Sequence, residues 1–329
     1  MIRPYISVII TAYNRKQFLK EAVESVLSQT LNKELYEIIL IKNFETRYDR
    51  QWAKKGVKLL FRPSGTVGAF LNDAINAAQG EVVSFLDDDD LFDRHKLDKI
   101  YRNFCQDPNL IYYYNGREYI DDSSNPVREI KISQSLANPK GSKESSTSKS
   151  SSYRIILLNC FNISCISIRR DVAFSRLKWL KRMPTMQDTF MGCAALSVLN
   201  GSALISADTL TGYRIHKSNT SSFSNISSMN KRIHTYTNKC YRTMRRMLEE
   251  SNGQGLSALD ALMCRMKIDN QVLNAKQIKA GQLLGYIMNY SLPLLFYCRK
   301  IDRFLFLAAF SYAFKKSGQS VLKRLELSW

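Results

Sequence analysis

Four consecutive carboxylates, Asp87 to Asp90, follow an apolar run at 81–86 that is typical of a buried strand. Neighbouring like charges repel, so ionising all four together costs free energy. A divalent cation removes this repulsion, and hard cations such as Mg²⁺ and Mn²⁺ prefer carboxylate and phosphate oxygens. The cluster therefore predicts a Mg²⁺ or Mn²⁺ site that also receives a phosphorylated substrate. The alternative is a solvated acidic turn that caps a helix beginning near Asp93.

Strand-like and helix-like segments alternate through the first 90 residues. Near-continuous apolar runs predict buried strands at 5–11, 36–41, 57–61 and 81–86. Apolar residues at helical spacing predict helices at 18–27 and 66–78, with Asn14 as the N-cap of the first and Gly80 ending the second. This alternation predicts an α/β fold with a doubly wound, mainly parallel sheet, whose carboxyl edge would carry the four carboxylates.

The chain after the carboxylates is less regular. It predicts strands at 110–120, 162–168, 203–206 and 210–215, and helices at 171–180 and from near Asp188. A polar, serine-rich segment at 138–152 indicates either a lid over the site or a disordered insert. The Ser- and Asn-rich stretch at 218–228 indicates a boundary, so we divide the chain into residues 1–222 and 223–329.

The second region, residues 223–329, is predicted to be helical, basic and amphipathic. The whole chain carries a net charge of +19, and residues 230–329 hold 17 Lys and Arg against 6 Asp and Glu. Two aromatic-rich apolar runs, at 283–298 and 304–314, are too short to span a bilayer. Their basic flanks favour helices that lie in the interface of an anionic membrane. Core helices or a homo-oligomer contact are the alternatives.

Composition also bears on partners and location. No recognisable nucleic-acid-binding motif accompanies the positive charge, so we expect no nucleic acid. Seven scattered cysteines without a CxxC pair indicate reduced thiols. The sequence leads directly into a strand, so we expect no signal peptide. Together these features predict a cytoplasmic protein, peripheral at the inner face of the membrane.

Four landmarks occur in order along residues 4–222. They are Thr11-Ala12-Tyr13-Asn14-Arg15 after the first strand, the run 65–80 leading into the carboxylates, Met186-Gln187-Asp188, and Tyr213-Arg214-Ile215-His216 followed by 218–222. The set resembles the inverting family 2 glycosyltransferases of the GT-A fold. The resemblance implies a Rossmann-like nucleotide-sugar domain that transfers sugar from a nucleoside-diphosphate sugar to a hydroxyl of a glycan or lipid-linked acceptor, in cell-envelope or lipid-linked glycan synthesis.

The resemblance also assigns roles to residues. Asp188 is expected to be the catalytic base, although it is also a good N-cap residue. The expected metal ligands are Asp87, Asp89 and His216. The expected nucleotide-sugar contacts are Thr11, Tyr13, Arg15, Asn43, Asp87, Asp88 and Arg214. Tyr13 would stack on the base, although an aromatic residue at a strand end is often core, and His216 would otherwise be a surface histidine.

Two positions depart from the family pattern. Asn43 stands where the family usually has an aspartate that contacts the nucleobase, which leaves the base unidentified. Gln187 stands where a Glu is more common. The alternatives to a glycosyltransferase are a nucleotidyltransferase, which would need a glycine-rich loop at 12–15, and a non-catalytic basic protein that binds membrane or nucleic acid.

Overall fold

The computed structural model describes residues 3–127, 142–144, 161–198, 201–216 and 238–251, together with positions 253, 255, 256, 259, 260, 262 and 263. Nine strands of this described part form one sheet. They are β1 (Ile6–Ala12), β2 (Tyr36–Lys42), β3 (Val57–Phe61), β4 (Val82–Asp87), β5 (Leu91–Phe92), β6 (Leu110–Ile120), β7 (Ser142–Glu144), β8 (Ile166–Arg169) and β9 (Ser202–Arg214). The order is β3-β2-β1-β4-β8-β6-β9-β5, with β7 paired to β9.

Eight α-helices accompany these strands in the same described ranges. They are α1 (Leu19–Leu27), α2 (Asp49–Lys54), α3 (Val67–Ala77), α4 (Lys96–Gln106), α5 (Arg170–Phe174), α6 (Leu177–Leu180), α7 (Gln187–Leu196) and α8 (Asn238–Ser251). The predicted α/β class is therefore confirmed, and the first four predicted strands match to within one residue.

The sheet has a parallel half and a mixed half. β1 pairs parallel to both β2 and β4, and β2 pairs parallel to β3. β8 then runs antiparallel to β4 and β6, and β9 runs parallel to β6 but antiparallel to β5 and β7. The change of direction next to β4 ends the doubly wound part of the sheet, and the four carboxylates begin at the end of that strand.

The core has one layer on each face of the sheet, because side chains along a strand alternate between faces. Along β1, Val8 and Ile10 pack with apolar residues of α1, α2 and α4. Ile9, between them, packs with residues of α3, α5, α6, α7 and α8. Strands buried on both faces carry the near-continuous apolar runs that made β1, β2 and β4 predictable from sequence.

Several local predictions need correction. The predicted helix at 171–180 is two short helices, α5 and α6, and the two predicted strands at 203–206 and 210–215 are the single strand β9. Asn14 is not an N-cap: α1 begins five residues later, and Asn14 adopts a left-handed φ of 57°. Gly80 does not end α3, whose C-cap is Ala78. A Cβ at Gly80 would lie 2.6 Å from the backbone nitrogen of Ser7, so this glycine lets the chain pass close to β1.

The later part of the chain is described only in pieces. Within the serine-rich segment, residues 142–144 form β7, and the rest of 138–152 lies outside the described residues. α8 packs its buried residues Cys240, Met244, Met247 and Leu248 into the same core layer as α3 and α7. The division at residue 222 stays a prediction. The apolar runs at 283–314 lie outside the described residues, and no described helix is long and apolar enough to cross a membrane.

Candidate active site

The four carboxylates lie at the carboxyl end of the parallel half of the sheet. Asp87 is the last residue of β4 and pairs in register with Thr11 of β1. The hydroxyl of Thr11 donates to Asp87 Oδ1 at 3.3 Å. The next three side chains, Asp88, Asp89 and Asp90, are buried. The helix α4 begins only at Lys96 and has no side-chain cap, so the alternative of a helix-capping acidic turn is wrong.

Arg15 lies against this cluster. This residue follows the end of β1 in the chain. Its guanidinium makes an ion pair with Asp88 and a second with Asp89, the latter at 2.7 Å. The side chain is three-quarters buried. Because the single positive charge of Arg15 is shared between two of these carboxylates, the metal-free cluster is partly neutralised by the chain itself.

Asp87, Asp88 and Asp90 bind protons more tightly than free aspartates do. Burial, with the neighbouring carboxylates Asp89, Asp90 and Asp88, raises the pKa of Asp87 well above its usual range. Burial raises the pKa of Asp88 to about 6, even though Arg15 opposes the shift. Burial and the charge of Asp89 raise the pKa of Asp90 to about 7. These shifts reflect desolvation first and mutual repulsion second, and a bound cation would relieve the repulsion.

These pKa values predict how pH acts on the metal-free protein. Between about pH 4 and pH 7 the folded protein holds protons on Asp88 and Asp90 that the unfolded chain has already released, so stability should fall as pH rises through that window. Thermal unfolding in EDTA at several pH values measures this fall in stability, and Asp90→Asn should make stability depend less on pH.

Protons compete with metal for these oxygens, so Mn²⁺ should raise Tm more above pH 7 than near pH 5. A Tm increase independent of pH would contradict the cluster as the metal site.

The cluster fits a hard divalent cation. Oxygens of Asp87, Asp89 and Asp90 lie within 4.8 Å of one another. The Oδ2 atom of Asp88 is buried without a hydrogen-bond partner, which is costly for a carboxylate and leaves this oxygen able to accept from a further donor or a cation. All these ligand atoms are carboxylate oxygens, which suit Mg²⁺ or Mn²⁺. The sequence predicted two of these three residues; Asp90 joins them here.

His216 contacts a carboxylate of the acidic cluster, whereas the end of the Arg214 guanidinium contacts other parts of the fold. The buried ring of His216 places Nε2 2.9 Å from Asp89 Oδ2 and 3.2 Å from the Arg15 guanidinium, so it adjoins the predicted metal ligand Asp89. Arg214 is fully buried, and its guanidinium donates to the Asp121 carbonyl and to the side chains of Glu21 and Ser124. This arrangement does not support Arg214 as a diphosphate ligand.

Arg214 instead holds the acidic turn in place. Its backbone N–H donates to Asp90 Oδ1 at 3.1 Å, and its Nε donates to the Asp89 carbonyl at 2.9 Å. The late segment predicted from sequence therefore does lie next to the carboxylates. It holds the acidic turn through hydrogen bonds from Arg214 at the end of β9, and it does not offer the arginine side chain to a substrate.

The predicted nucleotide contacts line the ends of β1 and β2. Tyr13 is 49% exposed and rests edge-on against Phe70, with its ring available to a ligand. Asn43 uses both ends of its amide on Asn14: its Oδ1 accepts from the Asn14 N–H at 2.9 Å, and its Nδ2 donates to the Asn14 side chain at 2.7 Å. In this structure Asn43 holds the loop that carries Tyr13 and Arg15 instead of presenting an open amide.

Asp188 reaches the site from α7. It is the second residue of that helix and is half-buried; the N-cap is Met186, so the alternative role of N-cap is wrong. Its Oδ2 accepts from the backbone N–H of Asn162 at 3.0 Å, and its Oδ1 accepts from the N–H of Thr189 at 2.7 Å. Two backbone donors fix the carboxylate and leave further lone pairs for a substrate hydroxyl.

Asn162 joins Asp188 to the acidic cluster, and sequence reasoning missed it. Its side chain donates to Asp90 Oδ2 at 3.2 Å and accepts from the N–H of Ser164 at 2.8 Å. Its φ of 91° is rare for a residue other than glycine. The sequence gives one weak signal, since asparagine is the residue most tolerant of such conformations after glycine.

A family model supports the interpretation of this site. The model described as Glycosyl transferase family 2 matches residues 7–176, from β1 through α5. An uncharacterised glycosyltransferase of Nostoc sp. is 32% identical over 145 residues, 40% of this chain and 44% of that protein. A poly(ribitol-phosphate) beta-glucosyltransferase of Bacillus spizizenii is 37% identical over 110 residues, 31% of this chain and 17% of that protein. The chain spans less than half the length of either of these relatives.

Solved structures share the fold. S. aureus TarS 1–349 in complex with UDP aligns with a TM-score of 0.57 at 14% identity, covering 99% of this chain and 92% of that one. The mannosyltransferase PcManGT from Pyrobaculum calidifontis, in complex with GDP-Man and Mn²⁺, aligns with a TM-score of 0.52 at 16% identity, covering 99% and 86%. The predicted GT-A fold is confirmed by these alignments. With a family model that matches more than half of its residues, and with acidic turn and sheet placed as expected, the chain belongs to glycosyl transferase family 2.

Proposed function

We propose that the protein is a metal-dependent, inverting glycosyltransferase that moves a sugar from a nucleoside-diphosphate sugar to an acceptor hydroxyl in cell-envelope or lipid-linked glycan synthesis. One observation carries the proposal. A single residue, Asn162, hydrogen-bonds both to Asp90 of the acidic cluster and to the separate carboxylate Asp188. A cation-binding cluster and an isolated carboxylate on one site are what transfer from a diphosphate to a hydroxyl requires.

One set of residues would act on the diphosphate leaving group, and a separate carboxylate would act on the acceptor. A bound Mg²⁺ or Mn²⁺ supplies positive charge beside the diphosphate as the sugar leaves. Asp87, Asp89 and Asp90 would hold it, and His216 would complete or flank that ligand set through Asp89. Arg15 adds a second positive charge at the same place. Tyr13 offers an exposed ring on which the base can stack.

On the acceptor side, Asp188 takes the hydroxyl proton as the hydroxyl oxygen attacks the anomeric carbon. The bond from that carbon to the acceptor oxygen forms while its bond to the phosphate oxygen breaks, and the electron pair leaves with the diphosphate. One base and one displacement invert the anomeric centre.

A screen of nucleotide sugars tests the proposal directly. With Mn²⁺ and no acceptor, the protein should hydrolyse at least one UDP- or GDP-linked sugar slowly, because water can replace the acceptor; solved relatives of this fold bind UDP, UDP-GlcNAc and GDP-Man. The released nucleotide is measured, with EDTA as the control. Absence of both hydrolysis and transfer across the panel would count against the proposal.

The acceptor is proposed to be bound to, or made at, an anionic membrane. The poly(ribitol-phosphate) glucosyltransferase among the relatives supports an envelope polymer as acceptor. Residues 283–324, outside the described residues, would dock the cytoplasmic protein on the inner face of the membrane through basic and aromatic side chains. Each Lys or Arg near such a surface contributes about 1 kcal/mol. A homo-oligomer formed through the same residues is the alternative.

Vesicle flotation should separate these alternatives. The full-length protein should float with phosphatidylcholine vesicles that contain phosphatidylglycerol, less with neutral vesicles, and less at higher salt. A protein ending at Ala280 should stay at the bottom. A full-length variant should float poorly when four C-terminal basic residues are changed to Gln, namely Lys315, Lys316, Lys323 and Arg324. If the full-length protein also stays at the bottom, the segment 283–324 serves a core or oligomer contact.

A further inference from the structure

One peptide group next to Asp188 is held from both sides. The N–H of Asn162 donates to Asp188 Oδ2 at 3.0 Å. The carbonyl of the same peptide belongs to Phe161, and it accepts from the Tyr114 hydroxyl at 2.6 Å and from a guanidinium nitrogen of Arg117. A peptide group is planar, so fixing its carbonyl also fixes the direction of its N–H.

The donors on that carbonyl are themselves tied together. Arg117 and Tyr114 lie three residues apart on β6, and the guanidinium donates to the Tyr114 hydroxyl at 2.9 Å. The same guanidinium lies 5.4 Å from the ring centre of Tyr213 and 5.9 Å from that of Tyr119. Contact with two aromatic rings limits its freedom, because a cation is attracted to the ring faces.

The charge also strengthens the bond to Asp188. A cationic donor on a peptide carbonyl polarises the amide, which makes its N–H a better donor, and hydrogen bonds in a chain reinforce one another. The side chain of Asn162 meanwhile holds Asp90 at 3.2 Å. The peptide therefore sets where Asp188 stands relative to the acidic cluster.

We propose that Arg117 is a positioning residue for the acceptor base: through the Phe161–Asn162 peptide it holds Asp188 at a fixed place opposite the carboxylate cluster. The inference rests on the proposed role of Asp188 as base. In the part of the chain that the structure describes, the Arg117 hydrogen bonds go to Tyr114 and Phe161 and not to the cluster carboxylates, so Arg117 acts on the acceptor side of the reaction and leaves donor and metal binding unchanged.

Kinetics of single variants test this position. Arg117→Gln should lower kcat for sugar transfer about ten- to a hundred-fold, since small displacements of a catalytic group cost that much. The KM for the nucleotide sugar and the binding of UDP or GDP with Mn²⁺ should stay unchanged. Arg117→Lys keeps the charge and should recover part of the rate, and Tyr114→Phe should show a smaller loss. Arg102→Gln, at an exposed arginine on α4 paired to Asp98, is the matched control and should transfer normally.

A double-mutant cycle separates this inference from the proposed function. If Arg117 acts through Asp188, then Arg117→Gln combined with Asp188→Asn should be no slower than Asp188→Asn alone. Multiplying effects, an unchanged kcat in folded Arg117→Gln, or a changed KM alone would overturn the inference while leaving the base intact. Normal transfer by Asp188→Asn alone would instead overturn the proposed base. If Arg117→Gln fails to fold, Tyr114→Phe carries the same cycle, because it removes only a hydroxyl.

Discussion

Asp188→Asn should fold, bind UDP or GDP with Mn²⁺ as the unaltered protein does, and transfer sugar about a hundred to ten thousand times more slowly. That range is the typical cost of removing a general base. Among the hydrogen bonds of the described residues, Asn162 is the link between Asp188 and the acidic cluster, so donor binding should not depend on the charge of Asp188. Rates of transfer and calorimetric binding of the nucleotide measure the two effects separately.

The substitution should also lower stability slightly, because Asp188 accepts from one backbone N–H on each oxygen. An Asn side chain can accept on only one of the two positions, and an unmet donor typically costs about 1–3 kcal/mol. Asp171→Asn is the matched control, since Asp171 accepts from the next backbone N–H in the first turn of α5 and lies outside the site. Near-normal transfer by Asp188→Asn would assign Asp188 to the start of α7 alone.

Removing the metal should stop turnover, and Asp89→Asn should mimic its removal. Metal charge stabilisation of a transition state is worth several kcal/mol, so transfer should fall by at least about a hundredfold. Asp89 is the cluster member that contacts both Arg15, at 2.7 Å, and His216, at 2.9 Å. Without its charge, the Mn²⁺-dependent rise in Tm should shrink together with the activity.

The controls for this prediction use the same chemistry away from the site. Asp98→Asn, at a partly exposed residue of α4 paired to Arg102, should leave both the Mn²⁺-dependent rise in Tm and the turnover unchanged. Circular dichroism of Asp89→Asn should match that of the unaltered protein, because the sheet does not depend on this side chain. Full turnover in excess EDTA would contradict the assignment of the acidic cluster as a metal site, regardless of the results with Asp89→Asn and Asp98→Asn.

The local pattern of the sequence was enough for the first half of the fold. Strands β1, β2 and β4 are buried on both faces, so their apolar runs are nearly unbroken and identify them without long-range information. The second half was less predictable, because β8 and β9 change direction and β9 carries register shifts against β6. Such irregularities depend on which strands become neighbours, and a single sequence does not encode that locally.

The sequence by itself determined the chemistry: four adjacent carboxylates, an arginine after the first strand and an acidic residue at a helix start, in an order typical of one family. Only the tertiary structure decided how these groups meet. It directs the Arg214 guanidinium to partners inside the fold and pairs Asn43 with Asn14. It also brings Asn162, and through the Phe161 carbonyl Arg117, to Asp188 from positions 26 and 71 residues earlier in the sequence. Those contacts form because packing of the sheet and helices brings together residues that are distant in sequence. The type of a residue does not reveal which distant backbone group will form a hydrogen bond with its side chain.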